Sequence, residues 1–331
     1  MKHFIWPPVF VILVVLVVFF WWQNAAAPPT TDTTAYPLLI TRGMTASQIA
    51  EKLKKEGFIR SPLAFRTFVQ VTGKSGSIQA GDYRLTKNLS LPTLVNELVE
   101  GPIAVWVTLP EGLRREEIVR KVVDALGLDA SSQTLFIDEF MALTKNKEGF
   151  LFPDTYLFLK TATPSAVVMK LTDTFEKRVD ETIEKGARTQ NLTLRELVTL
   201  ASIVERETRT DDERPIVAGI LLKRLRAGWP LQADATLQYA VSSVKCQVSS
   251  QKCEWWPIIT TGDKTIKSQY NTYTNRGLPP APIANPGLSS IKAVANPQNS
   301  PYWFYLHDRE GRIHYAPTAE EHAENINKFL R

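Results

Sequence analysis

The N-terminal stretch is the most apolar part of the chain. Nineteen residues from Phe4 to Trp22 carry no charge, and Val9–Trp22 is apolar throughout. A helix of that length spans about 30 Å at about 1.5 Å per residue, which matches the hydrocarbon layer of a bilayer. The pattern predicts a transmembrane helix, with residues 1–23 as cytoplasmic tip and membrane anchor.

Charges on the two sides of this stretch predict its orientation. Lys2 precedes it, whereas no Lys or Arg follows until Arg42. The positive-inside rule then keeps the N-terminus in the cytoplasm and places the rest outside, as in a single-pass protein of the cell membrane. The alternative is a cleaved signal peptide, with Ala25–Ala27 as the cleavage site. Either interpretation exports the body of the chain.

Polar and apolar positions beyond the anchor predict two folded parts joined to it by a linker. Residues 24–36 are small, polar and rich in Pro and Thr, which is typical of a tether. Residues 37–102 contain a strand at Pro37–Thr41, two helices and a strand at Gly81–Leu85. This order resembles a LysM module, a small fold that binds N-acetylglucosamine polymers. A packing module without a ligand fits the same order.

Residues 103–331 alternate short strands with longer helices, so the predicted fold class is α+β with a mixed α/β larger domain. A long amphipathic helix is expected from Pro164 to about Lys185, and a hairpin is expected around residues 307–312. Capping boxes predict four helix starts. They are Thr45 with Gln48, Thr193 with Glu196, Thr210 with Glu213, and Thr318 with Glu321.

Composition and charge distribution exclude one class of interaction partner, nucleic acid. The chain has 331 residues, 44% of them hydrophobic and 22% charged, with a net charge of +5. Charges of both signs are interspersed, and no basic stripe carries interleaved aromatic residues, so nucleic acid is not an expected partner.

Cys246 and Cys253 lie in a polar segment. Outside the cytoplasm a local disulfide is expected, with free thiols as the alternative. No histidine lies near enough in sequence to suggest a zinc site.

The helix that begins at Thr193 contains the candidate for chemistry. Leu197, Leu200 and Val204 recur at the helical period and predict a buried stripe. Glu205 falls at the edge of that stripe near the helix C-terminus. Partial burial and the helix dipole are both expected to raise the pKa of its carboxyl, as a general acid requires. Glu207 lies at a similar angle on the other flank, so periodicity alone does not choose between the two.

Several blocks resemble one enzyme family. Residues 201–208, ASIVERET, are similar to the signature of the endolytic murein transglycosylases, the MltG or YceG-like family. Four further blocks occur in the family's order, and the resemblance covers nearly the whole chain. They are EGFLFPDTYLF from Glu148, LQADATLQYA from Leu231, YNTY from Tyr270, and GLPPAPIANPG from Gly277. In that family the first glutamate of the signature is the catalytic acid and base, which corresponds to Glu205.

The resemblance implies a lyase that needs no cofactor or metal. It would cleave the bond between N-acetylmuramic acid and N-acetylglucosamine within peptidoglycan strands. The products would have 1,6-anhydro ends, and the cut would terminate nascent strands, with cell-wall synthases as partners. Residues in the matching blocks are candidates for holding the sugars, with loop stabilisation as the alternative role. They are Gln232, Thr236, Tyr270, Asn271 and Tyr273.

Two other functions stay open. A lysozyme-like hydrolase would need a second carboxylate, for which Asp154 and Asp234 are the candidates. Asp234 is also expected to cap a helix. A non-catalytic peptidoglycan-binding scaffold would use the LysM-like part alone. His314 and His322 are expected to have structural roles, since two histidines make a poor metal site.

Overall fold

The chain forms two compact units. The computed structural model describes residues 6–246 and 253–330. The first unit contains the chain up to Trp106 together with Leu157–Thr161, and the second contains Val107–Tyr156 and Ala162 onward. The predicted cytoplasmic tip at residues 1–5 and the middle of the cysteine-containing segment, residues 247–252, lie outside the described residues.

The N-terminal apolar stretch forms helix α1 (Trp6–Ala26). Across residues 6–246 and 253–330, no helix has both the length and the apolar character that a membrane span requires. The predicted transmembrane helix is therefore wrong. The C-terminal end of α1 packs on protein instead, because Trp22 stacks on Phe68 at 5.8 Å and both Ala25 and Ala26 are buried in the core of the first unit.

The first unit has the strand–helix–helix–strand order expected from the sequence. Its elements after α1 are β1 (Ala35–Ile40), α2 (Ala46–Lys55), α3 (Pro62–Val71), β2 (Gly81–Thr86) and α4 (Leu91–Glu100). Strands β1 and β2 pair antiparallel over six residues, from Ala35 opposite Thr86 to Ile40 opposite Gly81. Apolar side chains from both strands and from α2–α4 form one buried core. The capping box predicted at Thr45 is confirmed.

Residues 24–34 lie against this unit. Arg60 donates from Nε to the carbonyl of Pro28 and from Nη1 to Oδ1 of Asn24, both at 2.9 Å. Asp32 accepts hydrogen bonds from the Thr34 amide at 2.8 Å and from the Tyr36 hydroxyl at 2.7 Å. These contacts fix the path of the chain between α1 and β1.

Strands β1, β2, β3 (Ala104–Thr108) and β4 (Thr155–Leu159) form one sheet in the order β1-β2-β3-β4. Strand β3 begins in the first unit and ends in the second, and strand β4 begins in the second unit and ends in the first. The helices between and after them are α5 (Arg115–Leu126), α6 (Ala130–Leu143), α7 (Pro164–Arg178), α8 (Glu181–Thr189), α9 (Leu194–Glu207), α10 (Glu213–Arg226), α11 (Asp234–Lys245), α12 (Leu288–Ala295) and α13 (Ala319–Phe329). A hairpin of β5 (Phe304–His307) and β6 (Ile313–Ala316) precedes α13, as predicted.

Two predicted helices have different bounds. The helix expected from Pro164 to about Lys185 is divided, because Asp180 accepts from the amide of Ile183 and starts α8 as a new helix. The helix expected to open at Thr210 begins only at Glu213. The carboxylate of Glu213 accepts from the amide of Arg209 at 2.7 Å, so it stabilises the preceding turn.

Helix α9 is the central element of the second unit. Its residues 197–204 are all buried. Helices α8, α10, α11 and α12 pack around it, and their apolar side chains share one core with those of α9. The Thr193–Glu196 capping box is confirmed at its start. The last turn of α9 is therefore held in place by a packed core on several sides.

Candidate active site

Glu205 lies in the last turn of α9, and its side chain is only 7% exposed. The helix ends two residues later, at Glu207, and the capping residue Thr208 donates from its hydroxyl back to the carbonyl of Val204 at 2.7 Å. The apolar stripe predicted from the sequence forms the buried side of the same turn. The carboxyl group is thus set at the rim of the core in a fixed orientation.

Two donors hold the carboxylate of Glu205. Arg214 Nη2 donates to Oε1 at 3.1 Å, and the backbone amide of Gly287 donates to Oε2 at 2.8 Å. Arg214 is itself held, because its Nε donates to Oγ of Ser290 at 3.0 Å and its Nη1 pairs with Asp211. A guanidinium and a peptide N–H at opposite oxygens stabilise negative charge and restrict rotation of the group.

Two turns form the wall beside Glu205, and each depends on a glycine. A Cβ on Gly287 would lie 2.5 Å from Cγ of Glu111, a distance that side chains do not tolerate. Gly112 has a φ of +75° and faces Cγ of Glu205, which would lie 3.6 Å from a Cβ at that position. The amide of Gly112 donates to the carbonyl of Asn285 at 2.9 Å, which ties the two turns together.

A buried carboxyl group supports these turns from below. The side-chain amide of Asn285 donates to Oε1 of Glu148 at 2.8 Å and to the carbonyl of Leu113 at 3.0 Å. Its Oδ1 accepts from the amide of Leu151 at 2.9 Å. Burial, with a smaller contribution from the nearby charge of Glu116, raises the pKa of Glu148 to about 8. Two of the blocks that resemble the family, at residues 148–158 and 277–287, therefore meet through two hydrogen bonds, one from Asn285 to Glu148 and one from Leu151 to Asn285.

Glu207 occupies the opposite flank of the helix end. Its Oε1 accepts from the amide of Ala235 at 3.3 Å, and its Oε2 accepts from the hydroxyl of Tyr305 at 3.1 Å. Burial raises the pKa of this carboxyl group, which favours its neutral form. Glu207 thus connects α9 to the start of α11 and to β5.

The structure places three of the five predicted sugar-binding residues around the start of α11. Gln232 is exposed, has a φ of +52°, and donates from its backbone N–H to the carbonyl of Thr272 at 3.1 Å. Thr236 is buried, and its hydroxyl donates to the carbonyl of Ala233 at 2.7 Å. Asn271 is also buried, and its side-chain amide donates to two loop carbonyls at 3.0 Å each.

The two predicted tyrosines are half-buried. The rings of Tyr270 and Tyr239 meet at 4.6 Å, and the hydroxyl of Tyr273 donates to Oδ1 of Asp234 at 2.6 Å. Burial raises the pKa of both Tyr270 and Tyr273. Through the amide of Ala235 this region is hydrogen-bonded to Glu207. Among the residues that the structure describes, none of the five predicted residues donates to Glu205.

The sequence did not identify Arg214 or Gly287 as site residues. Gly287 ends a block that resembles the family, which is a weak signal. Arg214 had no signal, because it follows Glu205 by nine positions across a turn and a new helix start. Asp234 was expected to cap α11, but it is the first residue of the helix, after Ala233.

The two cysteines form a disulfide. Cys246 follows the last turn of α11 and is joined to Cys253, with the two Cα atoms 5.6 Å apart. His314 hydrogen-bonds to Asp308 at 2.9 Å. In the described part of the chain, no group of three or more His, Cys, Asp or Glu side chains is arranged to hold a metal ion.

The fold is shared with a solved structure. A YceG-like protein from Listeria monocytogenes superimposes with a TM-score of 0.59 at 23% identity, over 88% of this chain and 98% of that one. At this identity the likeness shows the fold alone. The architecture is thus that of a two-unit α+β protein with a glutamate held at the end of a central helix.

Sequence comparison identifies the family. The model of the YceG-like family matches residues 38–328, and the chain belongs to that family. It is 29% identical to the endolytic murein transglycosylase of Bacillus subtilis over 319 residues, which cover 90% of this chain and 85% of the relative. It is 26% identical to the protein of that name from Streptococcus pneumoniae, over 88% of this chain but only 58% of the relative. The resemblance identified in the sequence is confirmed.

Proposed function

We propose that the protein is an endolytic murein transglycosylase in which Glu205 is the catalytic acid and base. The observation that supports this most strongly is the setting of Glu205, almost buried at a helix end between Arg214 and the amide of Gly287. The same glutamate is the first of the signature block. The Bacillus and Streptococcus relatives are named for this activity.

One carboxyl group can complete the reaction. Glu205 donates its proton to the oxygen between the two sugars as the bond from that oxygen to C1 of N-acetylmuramic acid breaks. The resulting carboxylate then takes the proton of the C6 hydroxyl on the same sugar, and O6 bonds to C1. The anhydro ring forms without water, and Glu205 is protonated again. Arg214 and Gly287 stabilise the carboxylate between the two proton transfers.

A hydrolase of the lysozyme type would need a second carboxylate at a set distance. The two candidates for it have other partners. Asp154 pairs with Arg178 at 3.0 Å and accepts from the amide of Thr155, and Asp234 accepts from Tyr273. Their engagement favours the single-carboxylate reaction. It therefore supports a lyase over a hydrolase.

We also place the protein in the cell envelope, outside the cytoplasm, with a role in wall synthesis. Murein lies in the cell envelope, and a disulfide such as Cys246–Cys253 is typical of proteins outside the cytoplasm. An internal cut releases a nascent strand from its growing end, so cell-wall synthases are the expected partners. We assign Gln232, Tyr270 and Tyr273 to sugar contact. Thr236 and Asn271 are the loop supports that shape this surface.

The test is product analysis. The full chain is incubated with purified glycan strands, and the fragments are analysed by mass spectrometry. Internal fragments with 1,6-anhydro ends support the proposal, whereas fragments with ordinary reducing ends indicate a hydrolase. Binding of strands without any cleavage would identify a scaffold protein.

A further inference from the structure

Arg206 lies directly beside Glu205 in the chain, and the residue as a whole is exposed. Both side chains cross the turn at Gly112. A Cβ on that glycine would lie 3.3 Å from Cδ of Arg206 and 3.6 Å from Cγ of Glu205. The aliphatic part of Arg206 is therefore held next to the proposed catalytic group.

The guanidinium of Arg206 rests on an aromatic ring. Its central carbon lies 3.8 Å from the ring centroid of Trp256, which is within the range of a cation–π contact. Trp256 is fixed in turn, because its Nε1 donates to Oε2 of Glu117 at 3.0 Å. The same oxygen accepts from the amide of Arg114 at 3.0 Å, at the start of α5. The ring thus forms a rigid platform under Arg206.

The two arginines near Glu205 differ in how their donors are used. Every guanidinium nitrogen of Arg214 has a protein partner, namely Ser290, Asp211 or Glu205. For Arg206, the described residues provide no hydrogen-bond acceptor and no ion pair within 4.0 Å. The charges of Glu117, Glu205 and Glu207 act on its guanidinium from a longer distance, and stacking on Trp256 fixes its position. An arginine held by its face keeps its N–H edge available, and that edge matches a carboxylate in a bidentate geometry.

We propose that Arg206, supported by Trp256, binds a carboxylate of the murein substrate next to the bond that is cut. This inference rests on the proposed function. Murein offers such a group from two sources, the lactyl side chain of muramic acid and the attached peptide. An arginine beside Glu205 would orient the muramic acid residue whose C6 hydroxyl attacks. Arg206 is thus a substrate-binding residue that determines specificity for an acidic sugar polymer.

The experiment compares Arg206→Gln with the native chain on four substrates. They are peptide-bearing strands, the same strands freed of peptide by an amidase, and both preparations after methyl esterification of their carboxylates. On the charged strands we expect KM to rise about tenfold with little change in kcat, the size of one charge-assisted hydrogen bond. On esterified strands, the native chain and the variant should have the same KM. The charged preparation with the larger rise identifies the carboxylate that binds.

Two further variants separate this role from a structural one. Trp256→Leu removes the platform and should raise KM in the same direction, whereas Arg226→Gln removes a distant exposed arginine that contacts Gln190 and should change nothing. An unchanged KM for Arg206→Gln on charged strands, or an equal rise on esterified strands, would overturn the inference. The proposed function is judged separately, by whether the native chain makes anhydro ends at all.

Discussion

Glu205 and Glu207 lie in one turn of α9, yet they have different surroundings. Glu205 accepts hydrogen bonds from a guanidinium and from a peptide N–H. Glu207 receives the neutral hydroxyl of Tyr305 and a longer hydrogen bond from the amide of Ala235, and burial raises its pKa. Two identical side chains thus have different hydrogen-bond partners and different electrostatic surroundings. Neither the residue type nor the angle around the helix would distinguish them.

The largest expected effect comes from Glu205→Gln. Glutamine keeps the volume of the side chain but can neither donate the acidic proton nor accept one from the C6 hydroxyl. Because one residue serves both steps, we expect cleavage to fall by at least about 10⁴-fold, beyond the range of one ordinary acid–base contact. Release of anhydro fragments from strands measures it. A variant that still cleaves, while Glu207→Gln is inactive, would reverse the assignment.

Arg214→Gln should have the next largest effect. It removes the guanidinium that orients Glu205 but leaves the amide of Gly287 in place, so we expect kcat to fall roughly 10- to 100-fold, the size of a hydrogen bond to a charged group. KM should stay the same, since Arg214 acts through Glu205. Arg214→Lys should recover part of the rate. An unchanged kcat in the glutamine variant would show that Gly287 alone positions the carboxylate.

Glu207→Gln should leave cleavage within about threefold of the native rate, because neither of its partners touches Glu205. Its effect should appear in the pH dependence of stability. A carboxyl group whose folded pKa is raised stabilises the fold below its usual pKa, near 4.5, and loses that contribution as pH rises through the raised value. Thermal unfolding between pH 4 and pH 8 should therefore decline less in the variant than in the native chain. A parallel decline in both would contradict the assigned pKa direction.

The smallest effect on cleavage is expected from replacing Cys246 and Cys253 with serine. The disulfide closes a short loop at the end of α11, and its loss should lower the free energy of unfolding by about 2–3 kcal/mol. Cleavage should stay within about twofold, because Trp256 keeps its hydrogen bond to Glu117. Denaturant titration and fragment release measure the two quantities. A large loss of turnover in a folded variant would extend the site into this segment.

Local signals in the sequence predicted local structure well. The capping boxes at Thr45 and Thr193 are present as expected, and so is the hairpin around residues 307–312. Such features depend on hydrogen bonds between residues three or four positions apart, so a short segment contains all their partners. The break at Asp180 also follows a capping rule, but the apolar periodicity on both sides of it concealed that signal.

The N-terminal stretch shows where composition alone misleads. Its apolar run predicted a membrane span, but apolarity does not specify which surface will cover a side chain. In the structure, Phe68 and the core of the first unit cover Trp22, Ala25 and Ala26. The position of these residues depends on contacts with α3 and α4, which follow them by about forty to seventy residues. No window of the sequence contains both sides of that contact.

The sequence by itself determined the family and made Glu205 the candidate acid, because the signature block is contiguous and its first glutamate is the catalytic one in the family that it resembles. Only the tertiary structure decided what surrounds that glutamate. Gly287 lies 82 positions away and donates from its backbone amide. Every residue except proline carries such a group, so the residue type at this position does not indicate the contact. Arg214 and Trp256 reach the site through the packing of α10 and the path of the chain after the disulfide. Contacts between distant segments arise when the core forms, and they give the two neighbouring carboxylates different hydrogen-bond partners.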